Sequence, residues 1–152
     1  MTRDELIAAL EKAAGQSREL DAEIAFQIGA FDRYLMGMND CHIVSVTPAS
    51  NNCAEILIRA DARTTGGVQY TSDLPAYTAS IDAALTLVPE EYRVAVMEWD
   101  HEMLRAEGPW QCLLTPVGGG DSILADGQGR CDHAATPAIA LCIAALKARA
   151  AQ

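Results

Sequence analysis

The apolar positions of the first thirty residues predict two helices joined by a short turn. The first helix begins at the capping box Thr2–Glu5, in which a hydroxyl and a carboxylate three residues apart satisfy free backbone amides. The second begins at Ser17, a good N-cap residue, and ends near Gly29. Each helix carries only a narrow apolar stripe, so residues 1–30 are expected to form a helical hairpin that docks on an apolar surface.

Beyond residue 40 the hydrophobic pattern changes from a helical period to the alternation typical of strands, with many β-branched residues. Turn-forming residues between the first two segments, 48–52, predict an antiparallel pair. Glycine clusters in the second half predict a meander in which the last two short strands pair with each other. The predicted strands are residues 42–47, 54–59, 68–71, 92–99, 110–115, 121–125 and 130–133.

Between the two strand-rich halves, residues 73–89 show the clearest amphipathic pattern and predict a central core helix. Pro75 is tolerated in a first turn, either Asp73 or Thr78 can cap the helix, and Pro89 stops it. The expected buried stripe consists of Ile81, Ala84, Leu85 and Val88.

The last helix is predicted from its two ends. Thr136 and Pro137 provide an N-cap and a proline at the first helical position, and Lys147 and Arg149 suit the negative end of the helix dipole. The helix is apolar on more than one side, which leaves homo-oligomerisation open. The flanking apolar residues are Ala138, Leu141, Ala145 and Ala148.

The chain has 152 residues, of which half are apolar, so it can bury one core but hardly two. Helices at both ends and in the middle, with strands between them, predict an α+β fold. We expect one compact domain with a helical hairpin at 1–30 and a single-domain α/β/α-type sandwich, with a mostly antiparallel sheet, at 31–152.

The charge and the cysteines restrict the classes of function. The formal net charge of −10 disfavours direct nucleic-acid binding, because a phosphate backbone would be repelled. The charge could instead present an acidic surface to a basic protein. Five unpaired-looking cysteines predict reduced thiols and a cytoplasmic protein. The longest apolar run, 134–145, is too short for a membrane span.

Three segments together carry a family resemblance: residues 74–85, Trp110 on a following strand, and residues 135–148. They resemble the phage ABA-sandwich family, small proteins of phages and prophages, in which a YS/YT-x-x-I-x-x-A helix, a tryptophan-bearing strand and a terminal TPALA-like helix follow in this order. The resemblance implies a helix–sheet–helix sandwich and a phage or prophage origin, and it implies no catalytic residues. The chain departs from the pattern in its long 100–109 loop, which puts the pairing of 92–99 with 110–115 in question.

The cysteines and histidines of the chain could in principle form two kinds of reactive centre, a metal site or a thiol nucleophile. Cys41-His42 and Cys131-x-His133 offer soft metal ligands, but neighbours on a strand point to opposite faces, so we expect no metal and no cofactor. A thiol nucleophile would be Cys112 with His101 or Cys131 with His133, although no family-specific signature surrounds either pair. The glycine-rich segment 115–121 lacks the lysine of a P-loop and precedes a strand.

A ligand pocket is expected where the strand ends meet the loops 100–109 and 117–121, since aromatic side chains near loop ends often line small-molecule or base-stacking pockets and arginines can bind anions. Its candidate residues are Trp99, Trp110, Arg93, Arg105 and Arg130. The leading functional hypothesis is a non-enzymatic phage or prophage accessory protein in the host cytoplasm that acts by binding and interferes with a host process such as defence. The alternatives are a protein that binds or sequesters a nucleotide-like small molecule, and a thiol- or metal-dependent enzyme.

Overall fold

The computed structural model describes residues 1–32, 35, 41–48, 53–60, 67–98, 108–118 and 130–150. Helices and strands follow one another in an α+β order, with two helices first and one last. The helices are α1 (Arg3–Lys12), α2 (Arg18–Gln27), α3 (Ile81–Leu85) and α4 (Pro137–Ala150). The strands are β1 (Cys41–Pro48), β2 (Cys53–Ala60), β3 (Gly67–Asp73), β4 (Tyr92–Glu98), β5 (Trp110–Pro116) and β6 (Arg130–Ala134).

The N-terminal helical pair is confirmed, including both predicted caps. The amide of Thr2 donates to Glu5 Oε2 at 2.7 Å, and the amide of Glu5 donates to Thr2 Oγ1 at 3.3 Å, which is a complete capping box. At α2, Ser17 Oγ accepts from the amide of Leu20 at 3.3 Å. These bonds hold the first turns of both helices, so their start points follow from local sequence.

Strands β1, β2 and β3 form one antiparallel sheet, which we call sheet A. Alternate residues of β2, namely Ala54, Ile56 and Ile58, are buried in the core, as the alternating pattern predicts. Helix α2 contacts β1 of this sheet. The register of β1 is irregular between Ile43 and Ser45.

Strands β4, β5 and β6 form a second antiparallel sheet, sheet B, in that order. The pairing of β4 with β5 that the long loop put in question is therefore confirmed. Strand β6 pairs with β5. The predicted strand 121–125, its expected partner, lies outside the described residues.

Helix α4 is the central helix of the core. Its Thr136 Oγ1 accepts from the amide of Ile139 at 3.2 Å, as the N-cap prediction requires. Every residue from Ala138 to Leu146 is buried, because α4 contacts sheet B, α3 and α1. The apolar flanks that left homo-oligomerisation open are thus buried within a single chain.

The predicted helix over 73–89 is wrong in its length and in two of the four residues of its buried stripe, whereas Ala84 is buried and Val88 packs against the core as expected. Residues up to Asp73 belong to β3, and α3 spans only five residues, capped by Ser80 Oγ, which accepts from the amide of Ala83 at 3.2 Å. Ile81 and Leu85 of the expected stripe are 45% and 42% exposed, whereas Leu87 is fully buried. Before Ser80, one helical turn is closed by the amide of Ser80, which donates to the carbonyl oxygen of Ala76 at 2.8 Å. Long-range hydrogen bonds to Asp21 and Arg18 hold Thr78 and Leu74 of the same segment.

A single hydrophobic core draws on both halves of the chain, and the predicted α+β fold with antiparallel strands is confirmed. The strands of the described residues divide between two three-stranded sheets. The core includes Leu10 of α1, Ile24 of α2, Ile56 of sheet A, Leu114 of sheet B and Ile143 of α4. No helix within the described ranges combines the length and apolar character needed to cross a bilayer.

Candidate functional site

Sheet B buries one face and leaves the other in contact with solvent. Its inner side chains, such as Cys112 and Leu114 of β5, lie in the core beneath α4. Residues directly opposite each other in an antiparallel sheet share a face, so the register identifies the outer set. We call this set the arginine face: Arg93, Ala95, Gln111, Leu113, Thr115 and Arg130.

The two arginines of this face flank the central strand. Arg93 on β4 lies opposite Thr115, and Arg130 on β6 lies opposite Leu113, two residues along the same strand. Ordinary strand spacing and rise then put the two arginine Cα atoms about 12 Å apart. Because both side chains are long, exposed and on one face, their guanidinium groups can approach the same ligand.

The arginine face differs in charge from the protein as a whole. Among the described lysines and arginines, only Lys12, Arg93 and Arg130 are exposed, and two of these three belong to this face. None of the six side chains that define the face is a carboxylate, whereas the chain carries a net charge of −10. Exposed Glu90 and Glu91, in the turn before β4, are acidic neighbours along the chain. The face therefore carries two of the three exposed cationic side chains among the described residues.

The chemistry of this face suits binding better than catalysis. Guanidinium groups bind phosphate or carboxylate oxygens through paired N–H donors. The half-buried Thr115, opposite Arg93, adds a hydroxyl group, and the half-buried Gln111, two residues beyond the partner of Arg130, adds an amide. An open sheet face does not exclude water from a ligand, and exclusion of water is what strengthens electrostatic catalysis.

The structure separates the five residues predicted to line a pocket. Arg93 and Arg130 share the arginine face, as just described. Trp110 points by alternation to the inner face, where it is half-buried and packs against the core. Trp99 and Arg105 lie outside the described residues. The structure thus brings the two arginines together but does not place Trp110 beside them, and the binding role of all five stays a prediction.

A buried polar network that the sequence pattern did not reveal lies at the start of α2. Asp21 is 1% exposed, and its Oδ1 accepts from the amide of Thr78 at 2.7 Å and from Thr78 Oγ1 at 2.9 Å. Its Oδ2 accepts from Arg18 Nη1 at 2.9 Å. Arg18 Nη2 also donates to the carbonyl oxygen of Leu74 at 2.7 Å. The network ties the chain before α3 to the first turn of α2.

The electrostatics of this network follow from burial. Desolvation raises the pKa of the Asp21 carboxyl group, and the hydrogen bonds from Thr78 and the charge of Arg18 act in the opposite direction. A groove of about 380 Å³ borders the network, between Ser17, Glu19 and Ala76. No local sequence signal predicts the pairing of Asp21 with Thr78, because the two residues are 57 positions apart.

The cysteine thiols are mostly unsuited to nucleophilic attack. Burial, reinforced by the neighbouring Cys131, raises the pKa of Cys112 to about 12, and burial also raises the pKa of Cys142 far above its usual range. The Cys53 thiol donates to Asp73 Oδ1 at 3.1 Å, and this hydrogen bond raises its pKa. Within the described residues, no group of three His, Cys, Asp or Glu side chains is arranged to hold a metal ion.

Comparisons of the chain with protein-family models, with curated proteins and with solved structures found no match.

Proposed function

We propose that this protein acts by binding, and that the arginine face recognises an anionic, nucleotide-like ligand. The observation that carries the proposal is that Arg93 and Arg130 lie on either side of β5, on one exposed sheet face of an acidic chain. A phosphate group between the two guanidiniums would gain charge-assisted hydrogen bonds from both. The negative field of the rest of the protein would repel extended polyanions, which favours a small ligand over a nucleic acid.

The resemblance to the phage ABA-sandwich family supplies the setting of the proposal. In that setting the protein is a phage or prophage accessory protein in the host cytoplasm, and ligand sequestration is its means of interfering with a host process such as defence. The high pKa of the Cys112 thiol favours this reading over a thiol-dependent enzyme, because the thiolate is the nucleophilic form.

The proposal predicts ligand binding that depends on both arginines. Wild-type protein, Arg93→Ala and Arg130→Ala would be compared by native mass spectrometry and thermal shift against nucleoside mono-, di- and triphosphates and inorganic pyrophosphate. We expect at least one compound to bind the wild type, and each substitution to weaken that binding about 10-fold or more, since each removes a charge-assisted contact of roughly 1.5–3 kcal/mol. Binding should also weaken as salt is raised.

Lys12→Ala is the matched control, because Lys12 is exposed and cationic but lies on α1. It should leave ligand binding unchanged. If all three variants bind equally well, or if no phosphate compound binds the wild type, the arginine face is not an anion site. Capture of a basic protein at low salt by wild type and by both arginine variants alike would instead support the acidic surface as the recognition element.

A further inference from the structure

Two cysteines face each other across adjacent strands of sheet B. Cys112 of β5 is the direct register partner of Cys131 of β6, so both side chains point to the same face. That face is the inner one, where Cys112 is 1% and Cys131 2% exposed. The neighbouring Cys131 adds to the effect of burial in raising the pKa of Cys112. The two sulfur atoms are therefore close neighbours in the core.

The backbone geometry of such a pair suits a disulfide. Directly opposite residues in antiparallel strands have Cα atoms about 4.5 Å or about 5.5 Å apart, depending on the type of pair. Both spacings fall within the range of about 4.4–6.8 Å that disulfides span. Cys142 of α4 is the third thiol of this part of the core, but it lies on a helix and has no register partner on a strand.

We propose that Cys112 and Cys131 form an oxidation site that a peroxide converts into a cross-strand disulfide. One thiol, as its thiolate, attacks hydrogen peroxide, the O–O bond breaks, and the sulfur becomes a sulfenic acid while the first water leaves. The second sulfur then attacks the sulfenic sulfur, the S–S bond forms, and the hydroxyl group leaves as the second water. The two thiols together lose two electrons and the peroxide gains two.

Access to this site depends on β6. The strand has five residues, is an outer strand of sheet B within the described part of the chain and has an irregular register with β5 beyond the cysteine pair. Edge strands with few ladder hydrogen bonds open at lower free energy than central ones. While β6 is docked, both thiols are buried, and burial raises the pKa of Cys112. Oxidation therefore proceeds through brief separation of β6, and the disulfide then fastens β6 to β5.

The experiment treats the native wild-type protein with hydrogen peroxide, quenches it by alkylation under denaturing conditions, and maps the peptides. We expect a mass lower by about 2 Da before alkylation and two alkyl groups fewer after it, with the 112-containing and 131-containing peptides joined and the other thiols alkylated. Sub-denaturing urea should speed the reaction by loosening β6. The oxidised protein should melt roughly 5–10 °C higher, because the bond restricts the unfolded chain.

Cysteine variants supply the controls. Cys112→Ala and Cys131→Ala should each abolish the loss of mass, whereas Cys142→Ala, which alters an equally buried thiol, should retain it. Peptide mapping of the wild-type protein tests the proposal without any variant. A variant that fails to fold therefore does not prevent the test. Peroxide that only adds oxygen to these thiols, or a disulfide that joins Cys142 or two separate chains, would overturn the proposal.

Discussion

At the residue scale, Thr78 shows how a residue of the family-like segment contributes to structure. Its hydroxyl group accepts from the amide of Ser17 at 2.9 Å and lies 2.9 Å from Asp21 Oδ1. Its amide donates to the same carboxylate oxygen. The Tyr77-Thr78 pair that contributes to the resemblance is therefore buried, and Thr78 joins two segments far apart in sequence. A buried carboxylate of this kind is stable only while its donors stay in place.

Replacement of Thr78 by valine tests the network. Valine keeps the shape of the side chain but removes the hydroxyl group, which leaves the amide of Ser17 without this acceptor and Asp21 without one donor. We expect the free energy of unfolding to fall by about 1–3 kcal/mol, measured by urea denaturation. Thr78→Ser keeps the hydroxyl group and should cost less than about 1 kcal/mol. Equal losses for both variants would show that packing, and not hydrogen bonding, accounts for the effect.

At the element scale, α3 is short because its neighbours take the hydrogen-bonding groups that a longer helix would use. The amide of Thr78 is bonded to Asp21, and Ser80 caps the helix two residues later. At the other end, Arg149 Nε donates to the carbonyl oxygen of Leu87 at 2.7 Å, which ties the segment after α3 to α4. The apolar repeat of Ile81 and Leu85 therefore falls on the exposed side of the helix.

The buried side of this element can be identified by matched substitutions. Leu87→Ala should lower the free energy of unfolding by about 2–5 kcal/mol, because it leaves a cavity in the core. Ile81→Gln and Leu85→Gln, on the exposed side, should each change it by about 0.5 kcal/mol or less. Urea denaturation measures all three. Large losses from the glutamine variants would mean that the exposed pair is covered in solution, and gel filtration would then test for a second copy.

At the scale of the whole molecule, the helical pair at 1–30 and the remaining chain share one core. Leu6 and Leu10 of α1 belong to the same buried cluster as Ile58 of sheet A and Leu146 of α4. Lys147 at the end of α4 also forms an ion pair with Glu11 of α1 at 3.2 Å. The hairpin is thus part of the fold and not an appendage, because its removal would expose the apolar surface of α4.

A shared core predicts cooperative unfolding of the entire chain. Urea denaturation followed by far-ultraviolet circular dichroism and by tryptophan fluorescence should give coincident two-state transitions. Helical signal from α1 and α2 would then disappear together with the fluorescence change from sheet B, which carries Trp110. A separate early transition in the helical signal alone would mean that the hairpin unfolds on its own.

The sequence alone determined those features that depend on neighbouring residues. The capping box at Thr2, the cap at Ser17, the start of α4 at Thr136 and the alternation of β2 all follow from local hydrogen bonding or local periodicity, and all agree with the structure. The α+β class follows from the same signals, because the order of helices and strands is readable along the chain.

Only the tertiary structure decided which apolar stripes are buried and which polar residues meet. The pattern at 73–89 is as amphipathic as a core helix, but the partner of Thr78 lies 57 residues away, and periodicity carries no information about such a partner. The arginine face depends likewise on the register of three strands, which aligns Arg93 and Arg130 on either side of β5. The cysteine pair depends on the same register, because a shift of one residue would turn Cys131 to the opposite face of the sheet.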